Sequence, residues 1–542
     1  MIGSHESKRQ VEMDELAARQ WAEWRLTRRH LLKAGAFAMA GSAVVGPGHS
    51  FQRAAAAQAE PQAGGKVRMT LYTDVFSFDP PVPSDNPSIW TMLNVYDQLT
   101  RVAPGAETVE PGLAESWDTS PDGLTWTFHL REAKYPDGTV ATAGDVVFSL
   151  ERIFAAPTYG FLFSAFESAK ATDDRTVTIQ LKQPWAPMLA DLSLYGASVV
   201  PKSVVEAKKE EFFNAPFGTG PFYVTEWAKG DRISLKKNPN YWDPGKPYLD
   251  ELEFLIIPDD NTRVIKLEAG EIDIATDLPY NQIDVLRQTD GIAIQTDPLS
   301  RVDYIAFNHT RAPFDDVNVR KAINFAVDKD QIIKTVLFGN GEPAQSLLPK
   351  MLWWNKDAAA YPYDLEQAKQ HLAKSKVPDG FETDVLISAG NSVQQQYTTI
   401  VQQNLAAIGI KINIKQLDEL TLYNDYFQKL DYDMLAQYHT TDIVDPDEIV
   451  NYALNPDGGN QAIWTGYTNP KIAELTKTAQ GEADAAKREE IYHQIQQMSL
   501  NDAQVLFLYF PTSRIALRDA IQGFKVQPTG NYRMWEVSTT GG

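Results

Sequence analysis

At Asp297-Pro298-Leu299-Ser300 the pattern of apolar residues changes character, and that change constrains the fold more than any single motif. From Arg301 the order reads strand (302–308), amphipathic helix (318–327), a second helix start at Asp330, strand (383–388), a long helix (392–408) stopped by Gly409, and strand (410–417). Alternation of this kind predicts an α/β unit with helices packed on a sheet. Near the other end, 505–509 reads as a strand and 512–517 as a path back. A chain that leaves one unit, builds a second and returns is a discontinuous two-lobed α/β protein, with crossovers near residues 299 and 510.

The first half reads as a mixed sheet with interspersed helices. Residues 66–72 alternate like a half-buried strand and run into the loop 73–83, which carries Phe76, Phe78 and Asp79-Pro80-Pro81. Residues 111–117 read as a short linker. Ser120-Pro121-Asp122-Gly123-Leu124 is then a turn between two strand candidates, the second at 125–130, so a hairpin is expected. Thr142-Ala143-Gly144-Asp145 opens a helix with Val146, Val147, Leu150 and Ile153 at helical spacing. Strands follow at 176–181, 222–227 and 232–236, and the nearly continuous apolar run 252–257 suits a central strand. A helix at 262–269 stops at Gly270, and 272–274 reads as a short buried strand.

At 542 residues the chain is long enough for about three domain-sized units. A formal net charge of -21 argues against a nucleic-acid binder, since phosphate recognition needs basic surface. The absence of cysteine excludes disulfides, thiolate nucleophiles, Cys-ligated zinc and Cys-based lipid anchoring. Thr27-Arg28-Arg29-His30-Leu31-Leu32-Lys33, a mildly apolar run at 34–45 and an Ala-rich stretch at 54–59 resemble a twin-arginine (Tat) export signal. The expected mature chain starts near Glu60 and lies free in the periplasm, delivered by the Tat machinery and without a lipid anchor.

Residues 432–452 are the stretch most suggestive of a site. An apolar strand-like run ends at Tyr438, and Asp445-Pro446-Asp447-Glu448 reads as a helix start: an Asp N-cap, Pro at the first helical position and two acids in the first turn. Capping gives those acids a local task, worth about 1 kcal/mol at the N-cap. Asp442, in mid-loop, has no such task, and loops held by a rigid scaffold are where ligand contacts concentrate. Enzyme signatures are missing from the mature region: there is no Gly-x-Ser-x-Gly, P-loop, Gly-x-Gly-x-x-Gly after a strand, or His-Glu-x-x-His. His129, His309, His371, His439 and His493 show no metal-ligand spacing, and His439 alone borders the focal loop. No metal or cofactor is expected. Aromatics are abundant, with Phe76, Trp353, Trp354, Tyr438 and Trp464 in expected loops, where such rings give rigid apolar contact to a ligand.

Several blocks in order carry a resemblance. These are Leu113-Ala114-Glu115-Ser116-Trp117 with Ser120 to Phe128; Asp137-Gly138-Thr139 with Asp145-Val146-Val147-Phe148-Ser149; Gly218-Thr219-Gly220-Pro221-Phe222 with Asn238-Pro239-Asn240-Tyr241-Trp242; and Phe307-Asn308 followed by Pro313 to Ala322. Together they resemble family 5 of the extracytoplasmic solute-binding proteins, which includes the dipeptide and oligopeptide receptors of ABC importers. The resemblance implies a two-lobed periplasmic binding protein fold of the cluster C type, with two hinge crossings and a subdomain inserted in the first lobe. Lobe 1 would span 60–299 with the insertion at about 112–217, lobe 2 300–510, and the return 511–542. It implies a monomeric, non-enzymatic receptor that hands its ligand to inner-membrane permease subunits. Asp442 matches the family aspartate that pairs with a peptide's α-ammonium, and Thr440, Thr441, His439 and Tyr438 flank it. Dipeptide receptors place an arginine for the ligand carboxylate at the end of the strand matching 385–388, but 386–396 holds no basic residue here. Asn391 and Ser392 are the polar groups left there. The expected ligand is an amine-bearing solute such as an oligopeptide, an opine or an amino-acid conjugate. The alternatives are an uncharged solute such as an oligosaccharide stacked on Trp353, Trp354 and Trp464, and more remotely a secreted hydrolase with paired carboxylates.

Overall fold

The computed structural model describes residues 61–540 except 84, 104–107, 157–158, 351, 359–360, 419–420 and 459–460. The arginine pair and the rest of the expected export segment lie outside the described residues. A seven-stranded sheet runs, edge to edge, through Ile292–Gln295, Ile515–Arg518, Ile274–Ala275, Lys66–Leu71, Glu251–Ile256, Arg232–Lys237 and Phe222–Ala228. Lys66–Leu71 pairs in parallel with Glu251–Ile256 at the centre, where buried Val67, Met69, Leu252 and Phe254 alternate with the more exposed charged residues Lys66, Arg68, Glu251 and Glu253. A six-stranded sheet holds the second lobe in the order Gly341–Pro343, Val505–Pro511, Arg301–Phe307, Met434–Thr440, Phe381–Ser388 and Ile410–Leu417. Val505–Pro511 is buried along its whole length.

The chain crosses between the sheets twice, after Gln295 and after Pro511, and the two crossings bond to each other. Asp297 N–H donates to Ser513 Oγ at 2.8 Å, and Ser513 N–H donates to the Asp297 carbonyl at 2.7 Å. Between strands of the first sheet a four-stranded antiparallel sheet is inserted, Ala114–Thr119, Thr125–Leu130, Thr176–Leu181 and Phe166–Asp173 in spatial order. Its first strand occupies the stretch read as a linker. Pro111 and Gly112 mask it in sequence, and its largely solvent-facing side chains give no apolar alternation to read. The turn at Ser120–Asp122 does join a hairpin, since Thr119 pairs with Trp126.

Each lobe has its own core, and each sends residues into the other's. Ile443, from the loop after Met434–Thr440, is fully buried among first-lobe side chains, while Tyr280 and Ile283 pack into the second-lobe core. Ala186 N–H donates to the Gln480 carbonyl across the seam at 2.7 Å. The lobes are therefore in contact. Among the described residues no helix is long and apolar enough to cross a membrane.

Candidate functional site

The seam is built around the end of strand Met434–Thr440. This strand runs two residues further than its apolar pattern suggests, because Arg301–Phe307 pairs with all of it, Thr440 lying opposite Arg301. His439 and Thr440 are thus strand residues. Beyond them Thr441 is pinned to the first crossing: its N–H donates to the Ser300 carbonyl at 3.2 Å and its carbonyl accepts from Ser300 Oγ at 3.1 Å.

Glu448, in the first turn of helix Pro446–Ala453, reaches back and accepts from the N–H groups of Asp442 at 2.8 Å and Ile443 at 3.0 Å. Asp445 caps the helix by accepting from Asp447 N–H at 2.8 Å. It also accepts two bonds from the Arg488 guanidinium, at 2.6 and 2.7 Å, with both residues buried. Asp445 therefore does more than cap. Asp447 accepts from Gln480 and from Tyr492, both at 3.3 Å.

Asp442 stands apart from this network. Its backbone is held, but among the described residues no lysine or arginine is within ion-pairing distance of its carboxylate, and it faces the Tyr159 and Tyr195 hydroxyls of the first lobe. Those hydroxyls bond each other, and Tyr195 also donates to the Pro83 carbonyl. Burial pushes the Asp442 carboxyl up to about 7, and Glu448 beside it is raised by burial and by the Asp442 charge. The two acids form a neighbouring pair that spacing alone does not single out.

Aromatic rings line the same seam. Tyr452 stacks against His439 at 5.4 Å and against Phe161 of the first lobe at 5.9 Å, and meets the Trp464 edge at 5.7 Å. Burial holds His439 neutral by lowering it to about 3, and its Nε2 has no hydrogen-bond partner among the described residues. Tyr452 and Phe161 were not expected here; Phe161 sits in an irregular stretch whose approach to the second lobe is a tertiary event.

Other expected contacts fall elsewhere. Phe76 is 72% exposed on its loop, because Phe78 two residues on takes the core position. Asn391 is spent as the N-cap of Ser392–Ala406, accepting from Gln394 N–H at 3.0 Å. Trp353 lies against Arg488 and Tyr492, so it buttresses the Asp445 ion pair, and Trp354 lies under Lys350. Trp464 packs on Tyr423 and Phe427 as well as Tyr452. Tyr438 is covered by the Arg301 guanidinium at 4.0 Å, whose charge is matched by two 2.8 Å bonds to Asp303.

Ser392 remains accessible. It lines an open groove of about 240 Å³ between the lobes, with Gln396 on its own helix and Tyr280, Asn281 and Arg514 opposite. Arg514 lies over the Tyr280 ring at 4.3 Å, donates to the Leu278 carbonyl at 2.6 Å, and meets Asp277 only at 3.5 Å. Arg514, carried on the second crossing, thus puts a guanidinium into this groove. Only the return of the chain brings it there. Among the described residues no group of three acids or histidines is placed to hold a metal ion.

Two lobes, two bonded crossings and a seam that carries an unpaired acid agree with what comparison finds. The model of bacterial extracellular solute-binding proteins, family 5 Middle, matches residues 108–461. The dipeptide-binding protein of Escherichia coli (strain K12) is 31% identical over 502 residues, covering 84% of this chain and 92% of that protein. Heme-binding protein A of Haemophilus influenzae is also 31% identical, over 482 residues, covering 82% and 87%. Among solved structures, the periplasmic binding protein DppA of Helicobacter pylori in complex with the peptide STSA superposes with a TM-score of 0.81 at 28% identity, covering 88% of this chain and 98% of that one. Relatives this similar bind a peptide in one instance and heme in another, so kinship fixes the class of protein and leaves the solute to the seam. The chain belongs to the bacterial extracellular solute-binding proteins of family 5.

Proposed function

We propose that the protein is the periplasmic receptor of an ABC importer, closing on an amine-bearing solute and presenting it to the permease in the inner membrane. One observation carries the choice of solute: Asp442 is a half-buried carboxyl at the seam whose one close charged neighbour among the described residues is another acid, Glu448. A buried acid pair lacking a cation is unfavourable by itself and becomes favourable when a ligand brings the positive charge. Arg514 beside Ser392 and Gln396 adds a cation to the groove, which suits solutes that also carry a carboxylate, as peptides, opines and amino-acid conjugates do. His439, Tyr452 and Phe161 supply apolar ring surface to the same seam.

Mass spectrometry of the solute that copurifies with the native protein is the direct test. Recovery of an unaltered amine supports the reading. Recovery of a neutral glycan favours the uncharged-solute alternative, in which a protonated Asp442 bonds hydroxyls, and turnover of an added peptide or glycan pool overturns the receptor reading altogether. Export is tested separately, since Tat receptors read arginine and not lysine. The double variant Arg28→Lys, Arg29→Lys is expected to accumulate as cytoplasmic precursor; a normal periplasmic yield removes the Tat assignment.

A further inference from the structure

Among the described residues the Asp442 carboxylate accepts no hydrogen bond, so nothing attached to the side chain itself fixes where it points. Its direction follows from its backbone. The rigid unit beside it is the Thr441–Asp442 peptide, whose plane turns only when the torsions on either side change.

That plane is held at both ends by side chains. At one end the Thr441 carbonyl accepts from Ser300 Oγ at 3.1 Å; at the other the Asp442 N–H donates to Glu448 at 2.8 Å. The two clamps come from different parts of the fold. Glu448 stands in the first turn of helix Pro446–Ala453, whereas Ser300 immediately precedes strand Arg301–Phe307 and ends the first crossing. The Thr441 side chain adds nothing, since its own hydroxyl is buried without a partner among the described residues.

The backbone of Ser300 ties the clamp to both lobes. Its N–H donates to the Pro528 carbonyl at 2.9 Å, and Val526 and Tyr532 on either side of Pro528 lie in the first-lobe core. Its carbonyl accepts from Thr441 N–H at 3.2 Å. Ser300 is 3% exposed and uses all three of its hydrogen-bonding groups, one toward the first lobe and two on the residue before Asp442. Alanine at this position would bury as well and keep both backbone bonds. What the hydroxyl adds is control over the tilt of the peptide plane.

We propose that Ser300 is a positioning residue of the solute site: its hydroxyl fixes the Thr441–Asp442 peptide against the first crossing and so aims the Asp442 carboxylate at the ammonium of the solute. The role rests on the reading that an amine binds at Asp442, and it belongs to a residue that touches no solute. On a loosened plane the carboxylate must be ordered at the moment of binding, which weakens the charge contact and with it the preference for a free amine.

Hydrogen exchange read by mass spectrometry tests the clamp on the exported protein with no solute present. Ser300→Ala is expected to speed exchange at the Asp442 and Ile443 amides about threefold to tenfold, whereas Ser300→Thr, which keeps the donor, stays at the parent's rate. Calorimetry then uses the tetrapeptide Ser-Thr-Ser-Ala and its N-acetyl form, or the copurified amine and its N-acetyl form where the parent does not take that peptide. Ser300→Ala is expected to bind the free amine about threefold to tenfold more weakly and to leave the N-acetyl form nearly unchanged, with Ser300→Thr restoring the difference. In an Asp442→Asn background the same substitution costs no further affinity, because no carboxylate remains to be aimed. Equal losses for both probes, losses that add to those of Asp442→Asn, or unchanged exchange would each overturn the positioning role and leave the amine reading standing. Undiminished amine affinity in Asp442→Asn alone would overturn the amine reading, and the role of Ser300 with it.

Discussion

Asp442 and Asp445 stand in one loop, yet they meet opposite surroundings. Asp445 is buried against Arg488, which closes on it with two short bonds, and its oxygen also caps a helix. Asp442 is half-buried, its backbone fixed by Glu448, and no cation among the described residues compensates it. The comparison teaches that burial does not tell a structural acid from a ligand-binding one. What separates them is whether the fold itself supplies the counter-charge.

The largest effect expected from this contrast is on stability at Asp445. Removing one partner of a buried ion pair leaves the other charge uncompensated, at a cost of about 3–5 kcal/mol. Arg488→Ala strands Asp445 and also withdraws the cation that acts on Asp447, whose carboxyl burial and Asp445 already push up to about 7. Urea unfolding of Arg488→Ala and Asp445→Ala is expected to report losses in that range. A loss of only about 1 kcal/mol for Asp445→Ala would mean that capping is its whole contribution, and the contrast between the two acids would collapse.

Asp442→Asn is expected to do the reverse, sparing stability while reducing affinity for an amine by a hundred-fold or more, about 3 kcal/mol. The folded carboxyl titrates above its ordinary value, so its ionisation opposes folding increasingly as pH rises from the usual carboxylate range to about 7. The Asn variant therefore gains stability relative to the parent above pH 7 and gains none near pH 4. Binding follows the same titration with the opposite sign: amine affinity of the parent rises by at most about tenfold per pH unit up to about 7 and then levels. Calorimetry across pH checks this, and a flat or falling affinity would point to a neutral acid and an uncharged solute.

The two-lobed plan was legible because it rests on local periodicity. Ile410–Leu417 lies where its alternation puts it, and Asp445-Pro446 announces the start of its helix. The site was legible only in part. Asp442 stood out by lacking a local task, whereas Asn391 fits a ligand contact as well as the cap it proves to be until the 3.0 Å bond to Gln394 is seen. Arg514, Phe161 and the Glu448 partnership are products of chain return and lobe contact, and no sequence spacing encodes them. The Trp353 position shows the converse, since a loop tryptophan is equally suited to a ligand and to Arg488.

The smallest expected effect concerns closure itself. Phe161 and Tyr452 belong to different lobes and stack with centroids 5.9 Å apart at 27°, so their contact exists only while the lobes are together. An aromatic pair of this kind contributes about 0.5–1.5 kcal/mol beyond its buried area, and Phe161→Leu removes that from the closed form alone. Because a ligand shifts an open–closed balance only by its differential affinity for the two forms, the variant is expected to bind every solute about threefold to tenfold more weakly, whatever its charge. Asp442→Asn, in contrast, should distinguish an amine from its N-acetyl derivative. Small-angle scattering gives the independent readout: the parent's radius of gyration falls on adding the copurified solute, and Phe161→Leu needs more solute for the same fall. If Phe161→Leu instead discriminates by charge, or leaves both affinity and scattering unchanged, the stack belongs to the ligand site or to neither, and closure is held by Ile443 and the Ala186–Gln480 bond without it.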